Sequence, residues 1–93
     1  MTALRSAPRD SLAAVVLAPY LVRFTDHAAW RAGRRGVDLA AAEAIVLDLH
    51  DRRRRNTGGA AEWRLDARGI VVLYDWPTGE DRGVALVRSV WRR

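Results

Sequence analysis

The sequence predicts an α+β domain, with two N-terminal helices packed on one face of a small antiparallel sheet, in the order strand, helix, helix, strand, strand, strand. Three observations predict it. A short alternating run, Tyr20, Val22 and Phe24 against Leu21, Arg23 and Thr25, opens the periodic part of the chain. Two stretches with helix start and stop residues follow it. After Asn56-Thr57-Gly58-Gly59 the apolar positions change to the period of strands.

Each element has a local reason. Residues 1–9, with Ser6, Pro8 and two arginines, read as a flexible leader, and residues 10–93 as a single domain. Asp10 or Ser11 could cap a short helix over Leu12 to Ala18, ended by Pro19, although Val15-Val16-Leu17 would serve a strand equally well. Thr25 or Asp26 caps a helix that runs to about Arg35 and closes on Gly36. Asp38 caps a second helix from Leu39 to about Asp51, on which Leu39, Ala42, Ile45, Val46 and Leu49 share one arc. Arg52 to Arg55 finish that helix at the negative end of its dipole. Ala61 to Asp66 alternates as a strand, Asp66-Ala67-Arg68-Gly69 is a turn, and Ile70 to Tyr74 is apolar on both sides, as in a central strand. A loop with Pro77 and Gly79 leads to a last strand, Val84 to Trp91. There, strict alternation puts Arg88 with Val84, Leu86 and Val90, and Ser89 with Ala85, Val87 and Trp91. The expected core is Leu39, Ala42, Val46, Leu49, Val72, Tyr74 and Leu86.

At 93 residues, with 49% apolar and 29% charged residues, the chain has room for one small domain and no multidomain enzyme or repeat array. It has no cysteine, which excludes disulfides, thiol nucleophiles and thiolate metal sites. No cofactor is expected, and two histidines without a tight carboxylate spacing predict no metal. Arg5 and Arg9 before Leu12 to Ala18 mimic a secretory signal, but the apolar run is too short for that or for a membrane span, and a cytoplasmic protein is expected. The net charge is +5, and all 16 basic residues are arginine. Codon bias explains arginine in place of lysine; it does not explain the excess over 11 acids. An isoelectric point near 11.2 suits a protein that meets phosphate.

The chemistry concentrates in Thr25 to Val37. On a helical wheel His27, Arg31, Arg34 and Arg35 fall within an arc of roughly 100°. The opposite side is Ala28, Ala29, Ala32 and Gly33. Three stacked cations repel one another unless carboxylate or phosphate neutralises them. Phosphodiester cleavage by 2′-hydroxyl attack needs such a set: an imidazole to move the proton and guanidiniums to hold the oxygens. A locally bonded histidine beside a solvated arginine face is the plainer alternative. His50 falls at the rim of the apolar arc near a helix C-terminus, where the dipole favours its charged form. Arg52, Arg53, Arg54 and Arg55, followed by Asn56 to Gly59, could wrap a phosphate backbone or form a simple charge cluster. Trp91, with Arg92 and Arg93, could stack on a base, and Trp30, Trp63, Trp76 and Trp91 are too many for so small a core to hide.

The pattern Thr25-x-His27-Ala28-x-x-Arg31-x-x-x-Arg35-Gly36-Val37, followed by an amphipathic helix, a polar loop and three strands, resembles a family of small bacterial domains of unknown function grouped with RelE/ParE and BrnT toxins. The resemblance covers about Tyr20 to Trp91. It implies a RelE/BrnT-like sheet with two helices on one face and metal-independent endoribonuclease activity held in check by an antitoxin. Position by position it points to His27, Arg31 and Arg35 as catalytic, with Arg88 as a further basic residue. It also implies RNA, with the ribosome as one setting, and an acidic antitoxin as partners. The chain departs from RelE in having no lysine for proton transfer, and ParE-like members act on a protein. A non-catalytic basic module that binds nucleic acid or an acidic protein is therefore the alternative.

Overall fold

The structure, a computed structural model, describes residues 18–93. The leader read over residues 1–9, and residues 10–17 of the element read after it, lie outside the described residues. The chain forms β1 (Leu21–Phe24), α1 (Asp26–Arg35), α2 (Leu39–Leu49), a 3-10 turn (His50–Arg52), β2 (Arg54–Arg55), β3 (Trp63–Ala67), β4 (Ile70–Asp75) and β5 (Val84–Arg92). The fold is α+β, as the sequence predicts. The sheet, however, is five-stranded and mixed, in the order β1-β5-β4-β3-β2. β1 runs parallel to β5, with Leu21 opposite Val84 and Phe24 opposite Val87, while the other pairs are antiparallel. The expectation of an all-antiparallel sheet fails at β1, because the helices return the chain so that β1 joins the last strand in the same direction.

Both helix starts are built as their sequences dictate. Thr25 caps α1 by accepting from the Ala28 amide at 3.0 Å, and Asp38 caps α2 by accepting from the Ala40 amide at 3.0 Å. Gly36 ends α1 at φ 70°, a left-handed conformation that a side chain disfavours, and Val37 N–H then donates back to Ala32 O at 2.9 Å. α2 stops at Leu49, earlier than expected, where the backbone leaves the helical region at φ −120° and ψ 13°. The arginine run is thereby no helix tail. Arg53 is extended, and Arg54 and Arg55 form β2 along the edge of β3.

The core gathers Ala28 and Ala32 of α1, Ala42, Ile45 and Val46 of α2, and Val22, Leu65, Val72, Tyr74, Trp76, Ala85, Val87 and Val90. Leu39 and Leu49 are half-buried against it. Val71 and Leu73 are buried on the other side of β4, which makes it the central strand expected. Tyr20, expected beside Val22 and Phe24, is exposed. The last strand departs from strict alternation. Its pairing with β4 slips at Leu73/Tyr74, with Leu73 opposite Ser89 and Tyr74 opposite Val87, so that Arg88 is the extra residue of a bulge. The bulge turns Val87 and Val90 to the same side despite their odd spacing. Leu86 consequently lies outside the core, half-buried, with Ser89 and Trp91.

Truncating Ile45 to alanine is expected to destabilise the fold by about 2–5 kcal/mol, and truncating Leu86 by much less. Chemical denaturation of the two variants checks this; equal losses would return Leu86 to the core.

Candidate functional site

α1 lies with its alanines inward, because the methyl groups of Ala28 and Ala32 are too small to hold the backbone away from the sheet. Its outer face therefore carries His27, Trp30, Arg31 and Arg34 into solvent. Arg31 Nη1 stands 3.4 Å from His27 Nε2. The imidazole stacks beside the Trp30 ring at 6.3 Å, and the Arg34 guanidinium lies 5.1 Å from the same ring. Trp30 is 59% exposed, a large aromatic left in water between an imidazole and a cation. Trp30, Arg31, Arg34 and Arg35 line a hollow of about 290 Å³.

Arg35 serves two purposes. β5 outruns β1, which leaves the later part of its edge without a strand neighbour. Arg35 Nη1 donates to Val90 O on that edge at 3.1 Å, and Arg92 Nη1 donates to Gly36 O at 3.1 Å. Arg35 also lines a second hollow, of about 670 Å³, with Ser89, Trp91 and Arg92. It is the wall shared by the two hollows, and it joins the α1 face to Trp91.

Arg88 is not part of this assembly. Its Nε donates to Asp75 Oδ2, on the side of β4 away from the core, and Asp75 Oδ1 accepts from the Glu62 amide. Of the four residues expected to act together, the structure brings His27 and Arg31 into contact, places Arg35 beside them and holds Arg88 elsewhere.

The arginine run divides by the alternation of an extended chain. Arg53 and Arg55 turn to Trp63, their guanidiniums 4.1 and 4.6 Å from its ring, and Arg53 is also 5.1 Å from Trp76. Arg53 Nη1 donates to His50 O at 3.1 Å, so this residue braces the structure. Arg52 and Arg54 turn the other way, into a hollow of about 460 Å³ with Arg64, Asp66 and Arg93. The sequence does not single out Arg64 or Asp66, and it offers Arg93 only as part of the tail with Trp91 and Arg92. Period-two reading of β3 would pair Arg64 with Asp66, opposite Trp63 and Leu65; nothing local in the sequence brings Arg93 to them.

His50 corrects an expectation. It is buried, 3% exposed, rather than at the rim, because the change of backbone at Leu49 rotates it off the helical wheel and into the core. Its Nδ1 is hydrogen-bonded to the Tyr74 hydroxyl at 2.8 Å, and its ring meets the Trp76 ring edge-on at 4.5 Å. Burial first, and the Arg53 charge second, lower its pKa to about 4, while burial raises that of Tyr74. His50 is thus neutral at pH 7, against the charged form expected at a helix end, and belongs to the core.

Among the described residues no group of His, Cys, Asp or Glu could hold a metal ion, and no helix is long and apolar enough to cross a membrane. No family model, curated protein or solved structure matches this chain.

The His50 pair has a consequence for stability. The unfolded chain takes up a proton near the ordinary value of 6.5, and the folded imidazole only near 4, so acid favours the unfolded state across that window. Stability is expected to fall as pH drops from about 6.5 to about 4, and less steeply in His50→Gln. Denaturation midpoints of both proteins at several pH values check this; equal slopes would remove His50 as the cause.

Proposed function

We propose that the protein is a basic domain that binds RNA through guanidinium contacts to phosphate, as a RelE/BrnT-like fold with both helices on one face of its sheet. The observation that supports this reading most is the exposed α1 face. There Trp30, Arg31 and Arg34 stand together in solvent, a stacking surface beside cations, without a carboxylate paired to either arginine among the described residues. The net charge of +5 supplies the long-range attraction.

A second reading, a toxin-like metal-independent endoribonuclease, is favoured by one further observation: His27 Nε2 lies 3.4 Å from Arg31 Nη1 in that same exposed cluster. In this reading His27 accepts the proton of the attacking 2′-hydroxyl while Arg31 and Arg35 hold the phosphate oxygens that gain charge; the bond from phosphorus to the 5′-oxygen breaks, leaving a 2′,3′-cyclic phosphate, and water protonates the departing 5′-oxygen. Arg88 acts only if it leaves Asp75. The natural partner is then an acidic antitoxin that covers the arginines in the cytoplasm.

Arg31→Ala and Arg34→Ala are each expected to weaken RNA binding and to reduce the slope of log affinity against log salt by about one. Fluorescence anisotropy across a salt series measures both; unchanged slopes would count against the reading. His27→Ala is expected to keep RNA affinity close to wild type and to abolish cleavage in the presence of a chelator. Equal cleavage by wild type and His27→Ala would remove His27 from the chemistry, and no cleavage by wild type would leave the binding function alone.

A further inference from the structure

A single carboxylate on β3 gathers three guanidiniums away from the α1 face, beside a hollow that Leu49, Leu65 and Ala67 also line. Asp66 Oδ1 accepts from Arg93 Nη1 at 2.7 Å, Asp66 Oδ2 accepts from Arg64 Nη2 at 3.2 Å, and Arg54 Nη2 stands 4.0 Å from that second oxygen. Arg52 lines the same hollow and makes no ion pair among the described residues. The other ion pairs of the described residues match one arginine to one acid: Arg55 with Glu62, Arg68 with Asp48 and Arg88 with Asp75.

This concentration of charge is unfavourable by itself. Strand register sets Arg54 directly opposite Arg64, where like charges repel across a ladder. Four guanidiniums against the one carboxylate of Asp66 leave three positive charges around a hollow of about 460 Å³. Asp66, with its side chain only 14% exposed, acts less as a neutraliser than as a fixture: its two oxygens hold Arg64 and Arg93 at a set spacing and keep Arg54 close. Guanidiniums fixed in this way present planar forks that fit tetrahedral oxyanions, and the ordering has been done before a ligand arrives. The charge of the best ligand follows from the excess. A phosphodiester carries one negative charge and leaves two positive charges unmatched. A phosphomonoester, close to doubly charged at neutral pH, leaves about one. Trp91, whose ring centroid is 5.9 Å from the Arg64 guanidinium, gives an attached nucleoside an aromatic neighbour.

We propose that the hollow of Arg52, Arg54, Arg64 and Arg93 around Asp66 is a binding site for a phosphomonoester. Two sources carry that chemistry, the terminal phosphate of an RNA strand and a free nucleoside monophosphate. The strand-end source rests on the RNA-binding reading above; the nucleotide source does not.

The test uses the full chain and four probes: adenosine 5′-monophosphate, adenosine, and one short RNA prepared with and without a terminal phosphate, the phosphate placed at either end in turn. Titration calorimetry is expected to show binding of the monophosphate and none of adenosine. Anisotropy is expected to show the phosphorylated strand bound about tenfold more tightly than its hydroxyl-ended twin. Arg52→Gln and Arg54→Gln alter exposed side chains outside the core, and each is expected to remove most of this advantage, whereas Arg31→Ala, on the α1 face, is expected to weaken both strands alike. Monophosphate binding without RNA binding upholds the site and overturns the RNA reading. RNA binding that ignores the terminal phosphate, together with no binding of the monophosphate, overturns the site and leaves the RNA reading standing. A phosphate preference that survives in both Arg52→Gln and Arg54→Gln also overturns it.

Discussion

β5 has nine residues and its parallel neighbour β1 has four, and the way the protein treats the difference determines the rest of its geometry. A strand edge left open presents bare carbonyls and amides that water or another chain must satisfy. Here α1 closes the gap. Arg35 reaches from the helix to the Val90 carbonyl, and Arg92 reaches back from the strand to the Gly36 carbonyl at the helix end. The two bonds run in opposite directions between helix and strand and tie α1 to the edge at two points. The alanines beneath it and the left-handed Gly36 follow from the same demand, because the helix must lie low and stop sharply to meet the edge. The outward orientation of His27, Trp30, Arg31 and Arg34 is therefore a by-product of closing a sheet.

An excess of arginine in a composition does not say what the arginines do. In the structure they fall into groups that share nothing but the side chain. Arg35, Arg53 and Arg92 donate to backbone carbonyls and take the place of missing strand or helix partners. Arg55, Arg68 and Arg88 are each matched to one acid. Arg31 and Arg34 stand in solvent beside Trp30, and Arg54, Arg64 and Arg93 gather at Asp66 with Arg52 on the wall of the same hollow. The six arginines that donate to carbonyls or pair with one acid explain why a basic surface does not cover the molecule evenly. Guanidinium suits all of these tasks because it is planar, keeps its charge and offers several donors in one plane.

What could be read from the chain was what depends on near neighbours. The caps at Thr25 and Asp38, the stop at Gly36, the apolar arc of α2 and the doubly apolar β4 are encoded within a few residues, and each stands where its local pattern put it. The same holds for His27 and Arg31, four apart on one helix and in contact. What could not be read depends on distant partners or on a break in periodicity. The bulge at Arg88 is invisible in the sequence, yet it reverses the faces of the strand on either side of it and removes Leu86 from the core. The turn of the backbone at Leu49 breaks the wheel that placed His50 at a rim, and the strand character of Arg54 and Arg55 comes from β3, not from their own propensity. Arg88 reads in the sequence as a basic residue on a terminal strand; its acid, Asp75, is thirteen positions away, across the ladder.

The parallel pairing of β1 with β5 also bears on the order in which the molecule assembles. β5 is the last strand in sequence, yet it lies between β1 and β4 and provides the edge on which α1 rests. β3 and β4 can form their hairpin early, through a short turn at Arg68 and Gly69, and α2 can coil on its own residues. β1 has no strand to pair with, and α1 lacks the edge it rests on, until a strand more than half the chain away has arrived. Contacts of such long range close large loops before they give anything back, which slows folding relative to a local topology. On the ribosome the first strand and the basic helix emerge well before β5 does, and for that interval the chain holds an unpaired strand and a half-covered helix.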